Sequence, residues 1–292
     1  MNRLQEMLQK KKILVSDGAW GTMLQSQGLM PGDCPEEWNI SHPDNVRAIA
    51  AQYIGAGSDI VLTNTFGGSR FKLSSYNYQD QVYEINRAGA SISRQAAGEN
   101  VIVLSSVGPT GKFLEPLGDV TEQEMIDNFY DQMRGLVDGG VDGILIETMA
   151  DTAEAVCAVK AAKAVCKLPV LVTFTFERGK MGYRTMMGVT IPRAVEALTA
   201  AGVDMIGTNC GNGIEQVVEI IAEMRRHTDK YLVAHPNAGL PKLVQGTTIF
   251  DQSPDEMATY VRRLIDAGAN IIGGCCGTTP AHIAAIAKII HS

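Results

Sequence analysis

The chain has 292 residues, of which 45% are hydrophobic and 20% charged, so it is long enough to bury a large core. Its net charge of −7 is dispersed, and no basic run is longer than Lys10 to Lys12, which argues against nucleic acid or anionic membrane surfaces as partners. No apolar stretch reaches the roughly 18 residues that span a bilayer, and the amino terminus has no signal-peptide core. We therefore expect a cytoplasmic protein with six reduced cysteines.

Eight short apolar runs follow one another along the chain, and stretches with helical periodicity lie between them. In chain order the runs are KILVSD, DIVLTNTF, VIVLSSVG, DGILIET, PVLVTFTF, DMIGTNC, YLVAHPN and NIIGGCC. Such runs, with little alternation, are typical of parallel strands that are buried on both faces. They predict a single-domain (β/α)8 TIM barrel over residues 1–292. The longest intervening stretches, residues 21–43 and 66–80, are predicted to form loops over its mouth.

Four of the predicted strands belong to segments that resemble one another: AGSDIVLTNTF, GGVDGILIETM, AGVDMIGTNCG and AGANIIGGCCG. Aligned on the Asp or Asn, the segments bring a polar residue or cysteine to each strand end. The aligned residues are Asn64, Glu147, Asn209 and Cys275, followed by Thr65, Thr148, Cys210 and Cys276. In a barrel these ends open on the same face, where ligands bind. Cys210, Cys275 and Cys276 are therefore predicted to converge.

Three convergent thiols allow more than one interpretation. Adjacent cysteines rarely form a disulfide with each other, because the small ring strains the intervening peptide. A redox pair is disfavoured because CC lacks the usual two-residue spacer. Zinc suits such a cluster, and with three thiolates around it the ion is a poor activator of water but can hold a substrate thiol as a thiolate. From spacing alone, both metal binding and core packing stay open. The absence of HExxH and His-x-His patterns counts against a hydrolase.

Several motifs resemble the homocysteine S-methyltransferase family. They are SDGAWGTML, TNTFGGSRFKL, LIETM, TNCG, VAHPNAGLP and GGCCGTTP, and they extend from about residue 13 to residue 290. Within the family they most resemble the homocysteine-binding module of cobalamin-dependent methionine synthase. The resemblance implies a (β/α)8 barrel that transfers a methyl group to a zinc-bound homocysteine thiolate, giving methionine.

The resemblance also implies roles for individual residues. It makes Cys210, Cys275 and Cys276 the zinc ligands, and it makes Asp17 and Glu147 the acceptors of the homocysteine amino group. A carboxylate at a barrel mouth can hold an ammonium by charge and by hydrogen bonds, although it can also serve as a helix cap or a solvated loop acid.

Further residues have a less specific expectation. Asn237 resembles a side chain that can occupy the open zinc position, but an Asn before Ala-Gly also suits a turn. Glycines at the strand ends leave backbone amides free for the substrate carboxylate, namely Gly18, Gly211, Gly274 and Gly277. Three residues after the second strand are expected either to line the substrate pocket or to cap the strand and pack in the core, namely Thr63, Asn64 and Phe66.

The sequence leaves more than one possibility for the methyl donor. We expect 292 residues to leave no room for folate, cobalamin and activation modules, and no Asp-x-His-x-x-Gly corrinoid-binding signature occurs in them. We therefore expect methylcobalamin to be carried by a separate corrinoid protein that docks over the mouth. A small sulfonium or quaternary ammonium donor, such as S-methylmethionine or betaine, is the alternative, with Trp20, Trp38 and Tyr76 as candidate cation-binding rings. A third possibility is a homocysteine- or zinc-binding subunit without turnover.

Overall fold

Eight parallel strands form the central sheet of the computed structural model, which describes residues 2–244 and 247–291. The barrel strands are β1 (Leu14–Val15), β2 (Ile60–Leu62), β3 (Ile102–Val107), β4 (Gly143–Met149), β5 (Val170–Phe174), β6 (Met205–Gly213), β7 (Tyr231–Asn237) and β8 (Ala269–Ile272). They pair in the order β1, β8, β7, β6, β5, β4, β3, β2. Each strand coincides with a predicted run, and the predicted (β/α)8 barrel is confirmed. The predicted domain limits, residues 1 and 292, lie outside the described residues.

The seam between β1 and β2 is closed with the help of two aspartates. The Asp59 backbone amide donates to the Val15 carbonyl oxygen at 2.7 Å, and the Val15 amide donates to Asp59 Oδ2 at 2.9 Å. Further along the seam, the Leu62 amide donates to Asp17 Oδ2 at 2.8 Å. Because β1 has only two residues, carboxylates take over part of the hydrogen bonding that a longer strand would provide.

Helices surround the barrel, and side chains cap several of them at their amino termini. The Thr121 and Glu124 side chains form a capping box at the start of the seventh helix, and Asp151 caps the eighth. The helices are α1 (Arg3–Lys11), α2 (Gly21–Ser26), α3 (Trp38–Ser41), α4 (Pro43–Gly55), α5 (Arg70–Ser74), α6 (Val82–Ala97), α7 (Glu122–Asp138), α8 (Thr152–Val165), α9 (Ile191–Ala200), α10 (Ile214–Arg225), α11 (Pro254–Ala258), α12 (Val261–Asp266) and α13 (Pro280–Ile290). Across the part of the chain that the structure describes, no helix combines the length and the apolar character needed to cross a membrane.

Helix α1 closes the barrel at the amino ends of the strands. Leu4 and Leu8 are fully buried and join the apolar side chains that fill the barrel interior, while Arg3 binds the Asp142 carboxylate just before β4. Burial of each leucine contributes about 1.5–3 kcal/mol. The sequence did not predict this helix, because its stretch is mostly polar and only one narrow face is apolar.

The stretches predicted as mouth loops contain short helices. Residues 21–43 include α2, a 3-10 turn at Pro35–Glu37 and α3, while residues 66–80 include α5, which Ser69 caps. Two hairpins that the sequence did not predict follow β5 and β7. They pair Glu177–Gly179 with Gly182–Arg184, and Lys242–Val244 with Thr247–Ile249. Strands of three residues are too short to show a periodic pattern.

Candidate metal centre and substrate pocket

The three cysteines that the sequence singled out lie together at the carboxyl ends of β6 and β8. The sulfur atoms of Cys210, Cys275 and Cys276 are all within 4.8 Å of one another, and each residue is half-buried. Cys210 Sγ and Cys276 Sγ are 3.8 Å apart. Among the described residues, this is the group of His, Cys, Asp or Glu side chains whose ligand atoms are close enough to hold a metal ion.

Unusual backbone geometry turns these cysteines towards one another. Cys210 has a φ of 59° and Gly211 one of 69°, and the pairing of β6 with β7 shifts register between Asn209 and Gly213. A left-handed conformation at a residue with a side chain costs roughly 1–2 kcal/mol, and such strain is concentrated at functional sites. In the turn after β8, Gly277 has a φ of 80° directly after the cysteine pair. The glycines that flank the cysteines therefore permit the turns that bring the thiols together.

The chemistry of the cluster fits a metal ion that prefers sulfur ligands. Hydrogen bonds from Cys275 and Cys276 lower the pKa of the Cys210 thiol, and the same interactions together with burial raise the pKa of Cys275. The cluster can therefore lose one proton readily, but further thiolates need a cation among them. Three thiolates form a donor set typical of zinc. Beside them, Asn237 Oδ1 is buried and has no hydrogen-bond partner in the described part of the chain, so it is available to a metal.

Two buried carboxyl groups lie near the thiols. Asp17 Oδ2 accepts hydrogen bonds from the Leu62 amide and from Trp20 Nε1, both at 2.8 Å. Glu147 accepts hydrogen bonds from the Ser106 hydroxyl and, at 3.3 Å, from Asn209 Nδ2. Burial raises the pKa of Asp17 to about 7. Burial, reinforced by the charges of Asp17 and Cys210, raises the pKa of Glu147 to about 7.

A cavity of about 360 Å³ at the mouth of the barrel is lined by the three cysteines and Glu147, and Asp17 adjoins it through the lining residues Gly18 and Leu62. None of the described residues that line it is Lys, Arg or His, so the two carboxyl groups meet no protein cation there. A ligand that brings a positive charge would therefore be stabilised by both. The lining residues with chemistry relevant to a ligand are Trp20, Glu36, Asn64, Phe66, Glu147, Cys210, Cys275 and Cys276.

The remaining predicted residues occupy different positions around this cavity. Asn64 and Phe66 lie in its wall, with Phe66 39% exposed. Thr63 is buried behind the wall, where its hydroxyl accepts a hydrogen bond from the Ser106 amide at 3.1 Å. Of the candidate rings, Trp20 lies in the wall, whereas Trp38 is buried and stacks on His42 with ring centroids 4.5 Å apart. Trp38 is therefore not available to a ligand.

Three residues of the site were missed from the sequence. Ser106 and Asn209 hold Glu147, and the buried Glu36 carboxyl lines the cavity while accepting a hydrogen bond from the Gly67 amide at 2.6 Å. The alignment of strand ends placed Asn209 beside the site but did not give it a role. Glu36 belongs to the irregular stretch after β1, where no periodicity indicates which side chains point inwards.

The sequence profile of the homocysteine S-methyltransferase family matches residues 14–290. The chain belongs to this family. Methionine synthase of Mycobacterium tuberculosis (strain ATCC 25618 / H37Rv) is 34% identical over 299 residues, which cover 96% of this chain and 25% of that protein. Methionine synthase of Mycobacterium leprae (strain TN) is also 34% identical over 299 residues, which cover 96% of this chain and 24% of that protein. The chain thus spans about a quarter of the length of these relatives.

Solved structures of the family show the same barrel. The metallated form of the homocysteine methyltransferase MmuM from Escherichia coli superposes with a TM-score of 0.82 at 23% identity, covering 98% of this chain and 99% of that chain. The oxidized form of the same protein gives a TM-score of 0.81, also at 23% identity, over 98% and 99% of the two chains. At this identity the likeness establishes a shared fold. The family that the motifs predicted is confirmed by the profile match over residues 14–290.

Proposed function

We propose that the protein transfers a methyl group to the sulfur of homocysteine, giving methionine, with zinc held by Cys210, Cys275 and Cys276. The observation that carries this proposal is the presence of three thiols and two buried carboxyl groups in the neighbourhood of one 360 Å³ cavity. Homocysteine carries a thiol and an ammonium on one short chain, so it complements both the cysteine cluster and the carboxyl groups. Membership of the homocysteine S-methyltransferase family supports the same substrate.

Asp17 and Glu147 would receive the ammonium group. Asp17 Oδ2 is already committed to the Leu62 amide and Trp20, whereas Asp17 Oδ1 has only the Ser16 hydroxyl at 3.4 Å, so Oδ1 keeps acceptor capacity for a ligand. A bound ammonium favours the ionised form of each carboxyl group and lowers its pKa. Because both groups have a pKa of about 7 without ligand, binding near neutral pH would release protons.

The thiol end would be prepared by the metal centre. Zinc bound by three thiolates lowers the pKa of a further thiol, so that the substrate sulfur reacts as a thiolate at neutral pH. In the transfer, a bond forms between the homocysteine sulfur and the methyl carbon. The bond between that carbon and the donor breaks, its electron pair stays with the donor, and the thiol proton has passed to solvent. The protein residues contribute by fixing both ends of homocysteine, which orients the sulfur for in-line attack.

A methylated corrinoid protein is the donor that we favour. The motifs of this chain most resemble those of cobalamin-dependent methionine synthase. The relatives named methionine synthase are also more similar to this chain, at 34% identity, than MmuM is, at 23%. The segments after three of the strands, at the mouth of the barrel, also carry exposed apolar side chains that a small donor would leave uncovered and that a docked protein would cover. They follow β3, β5 and β7 and are between 44% and 79% exposed, namely Phe113, Leu117, Met181, Met186, Leu240 and Leu243.

A small sulfonium or quaternary ammonium donor is the second candidate, and a specific feature of the cavity favours it. Phe66, which is 39% exposed, lines the cavity together with Trp20 and the buried Glu36 carboxyl. Aromatic faces and a carboxylate together stabilise an onium cation. Such a donor would enter the cavity itself, and no partner protein would be needed.

Methionine formation tests the proposal directly. Zinc-loaded protein and homocysteine are mixed in parallel with methylcobalamin, S-methylmethionine or betaine, and methionine is measured by mass spectrometry. We expect product with methylcobalamin. Product only with an onium donor would select the second candidate. Homocysteine binding without product from any donor would identify a binding subunit, and absence of homocysteine binding would overturn the proposal altogether.

A further inference from the structure

Asn209 is a fully buried residue of β6 that directly precedes Cys210, and its side-chain amide has one defined orientation. Its Oδ1 accepts hydrogen bonds from the Thr148 backbone amide at 2.8 Å and from the Thr173 hydroxyl at 2.7 Å. A backbone N–H can only donate, so the side-chain oxygen must be on that side. The NH2 group must therefore face the opposite side.

On that opposite side the NH2 group meets three acceptors. Asn209 Nδ2 lies 3.3 Å from Glu147 Oε2, 2.8 Å from Thr148 Oγ1 and 3.9 Å from Cys275 Sγ. One amide group therefore contacts both a carboxyl group proposed to bind the substrate ammonium and a sulfur proposed to bind the metal. Hydrogen bonds to the atoms that hold a metal or a ligand fix their orientation and tune their charge.

The same amide holds a strained stretch of backbone. Thr148 has a φ of 63°, which is a rare conformation for a β-branched residue, and β4 loses register with β5 between Ile146 and Met149. Asn209 binds both the backbone amide and the hydroxyl of Thr148. Strained conformations persist where surrounding contacts over-determine them. Because Thr148 directly follows Glu147, the hydrogen bonds between Asn209 and Thr148 also constrain the backbone from which the Glu147 carboxyl projects.

We propose that Asn209 is a positioning residue that keeps the Glu147 carboxyl and the Cys275 sulfur in one fixed relationship, so that the amino end and the sulfur end of the ligand bind cooperatively. This inference rests on the proposed function, because it takes the ligand to be an aminothiol. It assigns to Asn209 a coupling that neither the metal ligands nor the carboxyl groups provide by themselves.

Asn209→Asp is the direct test, since it is nearly isosteric and retains an acceptor for Thr148 and Thr173 while placing oxygen against Glu147 and Cys275. Asn128→Asp is the matched control. Asn128 is equally buried on α7, away from the cavity, and its Oδ1 accepts a hydrogen bond from the Phe71 amide that aspartate can keep. Calorimetry on zinc-loaded protein gives the affinities for homocysteine and for 4-mercaptobutyrate, which lacks the amino group.

We expect Asn209→Asp to weaken homocysteine binding about tenfold or more and to reduce the preference for homocysteine over 4-mercaptobutyrate. Competition with a chelator should show zinc affinity reduced about 10–100-fold. In a Glu147→Gln background, Asn209→Asp should weaken homocysteine binding by a clearly smaller factor than in the wild-type background, since the two residues act together. Asn128→Asp should leave all these quantities unchanged.

Thr173→Val provides a second variant that introduces no charge and removes only the hydroxyl that anchors Asn209. We expect it to lower homocysteine affinity about two- to fivefold. The inference would be overturned if Asn209→Asp and Thr173→Val both kept the wild-type homocysteine affinity, ligand preference and zinc affinity. If Asn209→Asp does not fold, the homocysteine affinity of Thr173→Val decides alone. Failure of the wild-type protein to bind homocysteine would instead refute the proposed function, while zinc affinity would still report whether Asn209 supports Cys275.

Discussion

Cys210 Sγ and Cys276 Sγ lie 3.8 Å apart, although 66 positions separate the two residues in the chain. If the two cysteines hold zinc together with Cys275, Cys276→Ser should lower zinc affinity by at least about a hundredfold. Loss of a residue that only hydrogen-bonds to a metal ligand has a smaller effect. Chelator competition with native mass spectrometry measures both affinity and stoichiometry. Cys166→Ser at the end of α8 is the matched control, because Cys166 is also half-buried but lies outside the cavity. Equal zinc binding by both variants would contradict the ligand assignment.

Asp17 should matter for the amino group of the ligand and not for its thiol. Asp17→Asn keeps an oxygen for the Leu62 amide but removes the charge, so homocysteine affinity should fall about 10–100-fold. Binding of 4-mercaptobutyrate should change little. Asp151→Asn serves as the control, since Asp151 caps α8 and asparagine caps equally well. Similar losses for both ligands would show that Asp17 acts through the structure of the barrel and not through the ammonium.

The buried carboxyl groups should make the ligand-free protein less stable as the pH rises. The pKa of Glu147 is raised from 4.5 to about 7 in the folded state, so between these values the folded protein holds a proton that the unfolded chain has lost. The stabilising contribution is complete below pH 4.5 and is lost as the pH rises through about 7. Glu147→Gln should therefore be more stable than wild type at pH 8 by about 1–3 kcal/mol.

Denaturant unfolding at several pH values between 5 and 8 measures this difference. Glu196→Gln, an exposed change on α9, should leave the pH dependence of the wild-type protein intact. A pH profile for Glu147→Gln that parallels wild type would show that the Glu147 carboxyl does not carry the effect. Homocysteine should flatten the wild-type profile, because its ammonium favours the ionised carboxyl groups.

Gly274 should resist substitution for steric reasons. A Cβ atom added to Gly274 would lie 2.7 Å from Thr278 Cβ, and Thr278 cannot move freely because its hydroxyl donates to the Cys275 carbonyl oxygen at 2.7 Å. Gly274→Ala should lower the free energy of unfolding by about 1–3 kcal/mol and weaken zinc binding. Gly21→Ala, where nothing lies within 4 Å of the added atom, should be neutral or slightly stabilising in helix α2. Chemical denaturation of both variants measures the contrast.

Two surface changes should separate the candidate donors. Phe66→Leu removes an aromatic face from the cavity wall and should reduce turnover with S-methylmethionine or betaine several-fold, since a cation–π contact contributes about 0.5–2 kcal/mol. Leu117→Lys, at a site that is 68% exposed outside the cavity, should impair only a reaction that requires a docked corrinoid protein. Initial rates of methionine formation with each donor measure both effects. If both variants changed the initial rate by the same factor with every donor, neither surface would be specific for one donor.

The barrel could be predicted from sequence because a buried parallel strand leaves a direct trace. Each of the eight runs is apolar on both faces, and four of them share a small-residue turn followed by Asp or Asn and then the strand. Convergence of Cys210 with the cysteine pair then follows from the rule that all barrel strands open on one face. Helix α1 and the two hairpins escaped prediction, since their apolar content is small and depends on packing against distant residues.

The arrangement around the thiols shows where sequence reasoning stops. Asn209 was visible as a polar residue at a strand end, but its hydrogen bonds to Glu147 and Cys275 depend on side-chain orientation and on the left-handed turn at Thr148. Such a turn is normally recognised through glycine, and here a threonine adopts it. Trp38 illustrates a different limit, since this aromatic residue after β1 is buried in the apolar core cluster and stacks on His42 instead of facing the cavity.

The hydrogen bond from the Leu62 amide to Asp17 contributes both to the proposed ligand site and to the closure of the barrel. Asp17 lies beside the cavity, directly before the lining residue Gly18, and it also accepts a hydrogen bond across the seam between β1 and β2, which are not neighbours in the strand order. Separation of β1 from β2 would release the carboxyl group from its anchor, so the site and the closure of the barrel would be lost together. A ligand that binds Asp17 would therefore also stabilise the closed barrel, because it would bind only the folded state.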